Sequence, residues 1–389
     1  SGEQRRYLIM FTSPAELRGI TGFFGNYADV TIEDGRIDVT EFGRRSELSR
    51  FVRRNGASCS GCPPEFIDHY GPYSLAVGPD LEWLGFGWEN STMPAHFPYT
   101  AEAASIVYPQ SGKSPIDGVI AIDPYVVQAL MAYTGPVDVP EFGVTVRPDD
   151  AAQFILEDQY LLAQAADDET RLDNENRIDA LDTLGQQVIE AVLSGALPVP
   201  SELARDLGPL VAEKRLLAWT TDAAEQDLFD RIGMLGALPE IGDDGGFGFT
   251  AVNGGNSKID VFLERDVDVR IEPDGDGQRL LVADVTLTNT SPAGGLPRFV
   301  IGNTRGLPEG TSRLLVTMYG PPDLRSYLID GQPTEYEVNA EAGWTAYRRT
   351  VDIGPGGSVT FRLEFGIGPS LDDTETPVLW EQPLADRSQ

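Results

Sequence analysis

At 389 residues the chain exceeds what one hydrophobic core usually serves, and its 41% hydrophobic and 23% charged residues are those of a folded protein, so two domains are expected. A net charge of −32 repels phosphate backbones and anionic lipid heads over a Debye length of about 8–10 Å, which removes the driving force for nucleic-acid binding. Two histidines, His69 and His96, and two cysteines exclude multi-histidine zinc sites and most two-metal hydrolase sites.

Taken in chain order, residues 7–12 (YLIMFT) form a short apolar run, followed by the turn signals Ser13-Pro14 and Gly19. Residues 23–32 then alternate until Asp34-Gly35 turns the chain into residues 36–42. This predicts a strand, a loop and a hairpin. Residues 43–98, rich in glycine, proline and aromatics, are expected to be a long irregular segment of a kind more often functional than idle. Thr100 is expected to cap a helix through Val107, residues 119–122 to form a buried strand, and Pro124 to open a helix that stops at Gly135-Pro136. Asp149 is expected to cap a helix over residues 151–165, and residues 178–192 carry one amphipathic stripe. Two more helices fit residues 201–214 and 223–233.

Beyond residue 255 the pattern becomes strands at 260–271, 279–289, 313–319, 326–329, 346–353 and 358–365, separated by Gly/Pro turns. Such spacing indicates a β-sandwich. The domains are therefore expected at 1–254 (α/β or α+β) and 255–389 (all β).

All but three of the 29 basic residues are arginine, the residue that keeps its charge when buried and forks onto phosphate or carboxylate. Arg18, with Glu16, Thr21 and Asn26, lies between two strands, where ligands of α/β folds bind; the bland alternative is an Arg18–Glu16 pair. Cys59-Ser60-Gly61-Cys62 matches no common zinc spacing and opens into Pro63-Pro64 rather than a redox helix, so a small-loop disulfide of an exported protein is the simplest reading. Asp117 and Asp123, at opposite ends of a strand, are too far apart for an acid/base pair, and Asp123 is expected to cap the next helix. In the acidic stretch 167–177, Leu172 stands where a calcium loop needs glycine, whereas Arg171 and Arg177 can each direct a guanidinium toward an anion; a solvated face is the alternative. Asn253, Asn256 and Lys258, in NGGNSK, suit either an anion-binding nest or a plain inter-domain turn. The P-loop, nucleophile-elbow and zincin patterns are absent from the sequence.

The segments YLIMFTSPAELRGITGFFGNYADVTIEDGRI, CPPEFIDHYGPY, HFPYTAEAASIVY, DGVIAIDPYVVQALMAYTGPVDVP and NGGNSKIDVFLERDV resemble domain of unknown function family 4012, exported or membrane-anchored proteins of actinobacteria and related lineages. The first domain is more distantly similar to the LytR-CpsA-Psr fold. Arg18 matches the arginine ending that family's first turn, residues 119–137 its later strand–helix–turn, and the segment of Arg171 and Arg177 its arginine-bearing helix; Gly43-Arg44-Arg45 echoes its Pro-Arg-Asp. The resemblance implies a mixed sheet with flanking helices, followed by an immunoglobulin-like sandwich. It also implies a ligand of the polyprenyl-phosphate or cell-wall glycan class, and any activity would be cell-wall glycopolymer phosphotransfer. Magnesium is implied by this analogy only, since Ser13-Pro14 and Ile20-Thr21-Gly22 stand where the family has its acidic and Arg-x-Asp-Thr residues.

The expected function is thus that of an extracytoplasmic envelope protein, secreted or membrane-anchored. It would grip an anionic, phosphate-bearing glycan or glycolipid through Arg18, Arg171 and Arg177, with Trp83, Trp88 and Tyr99 as surfaces for sugar rings. The opening Ser1-Gly2 has the form of a cleavage scar, so the membrane would be met only through an upstream anchor. The alternatives are a scaffold whose arginines are internally paired, and a glycoside hydrolase with two carboxylates about 5–10 Å apart.

Overall fold

The alternation in the first forty-odd residues builds a meander. In the computed structural model, which describes residues 4–34, 36–77, 83–165, 183–190, 199–241, 245–274, 278–368 and 377–387, β1 (Arg5–Ser13) pairs antiparallel with β2 (Phe23–Glu33), and β2 with β3 (Arg36–Arg44). β4 (Gly118–Ile122) runs parallel to β1, and β5 (Leu216–Thr220) antiparallel to β4, so the sheet order is β3-β2-β1-β4-β5. Gly22, where the chain re-enters the sheet, has a left-handed φ of 86°, and a Cβ there would meet the Ser13 carbonyl oxygen at 2.5 Å. Only glycine fits that approach.

Four helices follow in sequence: α1 (Arg45–Asn55), α2 (Pro64–Ser74), α3 (Phe97–Val107) and α4 (Pro124–Thr134). Val126, Val127 and Met131 of α4 share one core with Ile122, Val188 and Leu216. Phe24, Tyr27, Trp88 and Tyr108 interlock edge to face, the arrangement ring quadrupoles favour.

The segment expected to be irregular therefore contains two helices, α1 and α2, and a short hairpin, Leu75–Val77 with Trp83–Phe86. α1 escaped detection because its buried stripe is only Leu48, Ser49 and Val52, and α2 because it contains Gly71 and Pro72. Thr100 is not a cap: α3 begins at Phe97 with Pro98 in its first turn, and the Thr100 hydroxyl donates to the Ser91 carbonyl. Asp149 caps nothing either; it lies in a 3-10 turn, Pro148–Asp150, ahead of a helix that passes through a π-turn at Phe154–Asp158. Of the stripe over residues 178–192, residues 183–190 are helical, and Ile178, Leu181 and Val192 lie outside the described residues.

The chain divides into two units, Ser1–Pro14 with Thr21–Gly236 and Ala15–Ile20 with Ala237–Gln389. The division after Gly236 precedes the expected boundary at 254/255, because β6 (Gly246–Asn253) is buried at every position and pairs inside the second unit. The other strands of this unit are β7 (Leu263–Pro273), β8 (Arg279–Asn289), β9 (Ser312–Gly320), β10 (Leu324–Ile329), β11 (Gln332–Pro333), β12 (Glu337–Glu341), β13 (Trp344–Ile353), β14 (Ser358–Ile367) and β15 (Val378–Glu381). They form two five-stranded sheets, β12-β13-β9-β6-β15 and β7-β8-β14-β10-β11. Phe249, Val316 and Met318 from one sheet and Val285, Phe361 and Leu363 from the other meet in a single core, which Leu17 joins. The protein is thus mixed α/β, of the α+β kind, with several sheets and helices. No helix among the described residues is long and apolar enough to cross a membrane.

Candidate functional site

Of the expected ligand residues, the structure brings four together in the second unit: Arg18, Asn253, Asn256 and Lys258. The Arg18 guanidinium is buried and donates to Glu16 Oε1 at 2.8 Å, to the Leu17 carbonyl at 2.8 Å and to the Asn253 carbonyl at 3.1 Å. Lys258 Nζ takes the other Glu16 oxygen at 2.5 Å. Burial alone would push the Glu16 carboxyl up, but Lys258 and Arg18 beside it hold it below the usual carboxylate range. Beneath this pair, Asp260 Oδ2 accepts from the Leu17 amide at 2.8 Å and from Asn253 Nδ2 at 2.7 Å. Burial pushes the Asp260 carboxyl up to about 7, against the pull of those two donors. The backbone amides expected to cradle an anion are already taken, since Asn253 Oδ1 accepts from the amides of Gly255 at 2.8 Å and Asn256 at 2.9 Å. Asn256 itself has φ 59° and donates to Thr304 Oγ1. Arg18, Glu16 and Lys258 pair with one another or with the backbone, as in a structural staple, while Asp260 Oδ1 is buried without a hydrogen-bond partner among the described residues.

Thr21, Asn26 and Trp88 belong to the first unit. Thr21 is buried and Asn26 is half-buried on β2. Trp88 is 0% exposed, with Nε1 donating to Ser111 Oγ at 3.0 Å, so its ring faces protein rather than a sugar. Tyr99 is tied through its hydroxyl to Glu65 at 2.6 Å. Arg171, Arg177 and the Trp83 side chain lie outside the described residues. Cys59 and Cys62 form the expected disulfide. Asp123 is the expected helix cap: Oδ1 accepts from the amides of Tyr125 and Val126, and Oδ2 from Arg215 at 2.7 Å. Its carboxyl is nonetheless pushed up by burial, with Arg215 opposing.

The accessible positive charge of the described residues gathers where the sequence suggested only an echo. Helix α1, RSELSRFVRRN, carries Arg45, Arg50, Arg53 and Arg54 against one acid, Glu47. Positions 46, 50 and 54, like 45, 49 and 53, are one helical turn apart and so share a face. With Ser46 and Ser49, the four arginines line a hollow of about 320 Å³, room for roughly ten waters. Arg53 and Arg54, in the last turn, suit the negative end of the helix dipole; Arg45, in the first turn, opposes it. Arg45 stacks over Phe23, 5.2 Å from the ring centre, and reaches Glu89 Oε2 at 3.4 Å; Arg53 reaches Glu89 Oε1 at 3.2 Å. Arg50 and Arg54 are exposed and have no ion pair among the described residues. A second hollow, about 440 Å³, is lined by Val144, Val146, Phe154, Leu161 and Leu162 with Asp150 and Asp158 at its edge, a setting that disfavours an anion.

The magnesium implied by analogy does not fit the β1–β2 turn. Glu16 is its one acid, and both its oxygens are held by Arg18 and Lys258. A hard cation needs several free oxygens.

The chain is similar to two solved structures, Lin1025 protein from Listeria innocua (11% identity, 63% of this chain and 85% of that one, TM-score 0.25) and protein gbs0355 from Streptococcus agalactiae (14% identity, 60% and 74%, TM-score 0.32). No curated protein matches. Residues 2–160, which contain β1 to β4 and the α1 hollow, match the model of the family described as Protein of unknown function (DUF4012).

Proposed function

We propose that this is an extracytoplasmic cell-envelope protein whose α1 hollow binds the phosphate of an anionic glycan or a polyprenyl-phosphate glycolipid. The observation that carries the reading is the grouping of Arg45, Arg50, Arg53 and Arg54 on one helix face of a chain with net charge −32. Like charges one turn apart disfavour a helix by a few tenths of a kcal/mol per pair, a cost that an anionic ligand reverses. The Cys59–Cys62 disulfide, four residues past the end of α1, supports an oxidising compartment. On this reading the first unit is a LytR-CpsA-Psr-like domain used for binding, and the second an immunoglobulin-like spacer. Arg18 favours a second reading, a scaffold without ligand, because it is the internally paired arginine such a protein would contain.

Titration calorimetry with a short polyprenyl phosphate and with its dephosphorylated alcohol separates the two. The phosphate is expected to bind, more weakly as salt rises, and the alcohol to bind at least tenfold more weakly. Equal affinity for both, or no binding of either, leaves the scaffold.

A further inference from the structure

A carboxylate already meets three of the residues that line the α1 hollow. Glu89 Oε2 accepts from Ser49 Oγ at 3.1 Å and from Arg45 NH1 at 3.4 Å, and Oε1 from Arg53 NH2 at 3.2 Å. These contacts are long for charge-assisted bonds, which settle near 2.7–2.9 Å. The structural pairs of the same protein do reach that range, at 2.8 Å for Arg18–Glu16 and 2.7 Å for Arg215–Asp123. The turn that carries Glu89 is firmly seated on either side. Trp88 is fully buried with Nε1 on Ser111, and Asn90 Nδ2 donates to the Tyr73 carbonyl at 2.8 Å. Rotation about side-chain bonds alone therefore moves the carboxylate, with no backbone rearrangement.

We propose that Glu89 is a resident counter-anion of the hollow, which a phosphate ligand displaces to reach Arg45, Arg53 and Ser49. The proposal rests on α1 being an anion site, as argued above. It explains why Arg45 and Arg53 meet Glu89 while Arg50 and Arg54 are left outside the pairing: the latter make first contact, and the former are uncovered as Glu89 swings away. The resident acid also gives selectivity. A weak monoanion such as acetate gains too little to displace a tethered carboxylate, whereas a diphosphate engages several guanidiniums at once.

The test is titration of inorganic pyrophosphate into the wild type, Glu89→Gln, Glu89→Ala and Arg50→Ala/Arg54→Ala, each checked for unchanged thermal unfolding. Removing a like charge about 4 Å from the bound phosphate tightens binding by roughly three- to tenfold. Both Glu89 variants are expected to show this, and the arginine variant to lose binding. Wild-type binding with equal or weaker affinity in both Glu89 variants would show the residue to be a clamp for α1; that overturns the proposal and leaves the anion site standing. No binding in the wild type and in either Glu89 variant overturns the anion site itself.

Discussion

Around Arg18 in the second unit, the Arg18, Glu16 and Lys258 charges meet an opposite one or a carbonyl within 2.5–3.1 Å, with Arg18 and Glu16 buried and Lys258 half-buried. On α1 in the first unit, Arg45 and Arg53 meet Glu89 at 3.2–3.4 Å, and Arg50 and Arg54 meet no acid among the described residues. The first arrangement is what a fold needs when it buries charge, because each ion must be paired and hydrogen-bonded to offset its lost hydration. The second leaves hydrogen-bonding capacity unspent at the surface. On the proposed reading, partner distance and burial, not place in a motif, separate an arginine that serves folding from one that serves a ligand.

The contrast can be broken most sharply at Arg18. Arg18→Ala leaves Glu16 with one cation in a buried site, and the loss is expected to be about 3 kcal/mol in urea unfolding, with pyrophosphate affinity unchanged. A loss of affinity with normal stability would move the ligand site to the second unit.

The next largest effect concerns Asp260, whose carboxyl is pushed up to about 7 by burial from 3.8. The folded state therefore holds a proton that the unfolded chain has released. The stabilisation is complete below pH 3.8 and fades as pH rises through 7, by on the order of 2 kcal/mol between pH 5 and 8. Asp260→Asn is expected to remove that slope from thermal unfolding; a slope that persists would place the titration elsewhere.

At α1 the expectation reverses. Arg50→Ala/Arg54→Ala should leave stability within about 0.5 kcal/mol of wild type, since exposed charges contribute little, while pyrophosphate binding weakens tenfold or more. The smallest effect sharpens the comparison without any substitution. Raising salt from 50 to 300 mM should weaken pyrophosphate binding several-fold yet leave the Arg18 cluster intact, as read from the unfolding midpoint of the second unit.

Much of the architecture was legible where period and punctuation agree. β1 to β3, the Asp123-capped α4, and strands such as Arg279–Asn289 follow their sequence patterns closely. β6, GFGFTAVN, did not read as a strand because its glycines resemble turn signals; the structure uses them for close approach, with Trp344 packed where a Gly246 Cβ would sit. The candidate site was harder. The fate of Arg18 depends on Asn253, Lys258 and Asp260, more than two hundred positions away, which no local pattern reports. The α1 cluster was visible as RSELSRFVRRN, but its face exists only once the segment is helical, and a narrow apolar stripe concealed the helix. Arginines one turn apart in so acidic a chain were the available signal.

Residues Ala15–Ile20 belong to the second unit although the first begins before them and resumes after. Leu17 fills part of that unit's core, and its amide donates to Asp260 Oδ2. A gene fragment starting at Ala237 would therefore encode a β domain with a gap in its interior and an acid stripped of a donor. Recombination at a single breakpoint cannot hand the second domain intact to another protein.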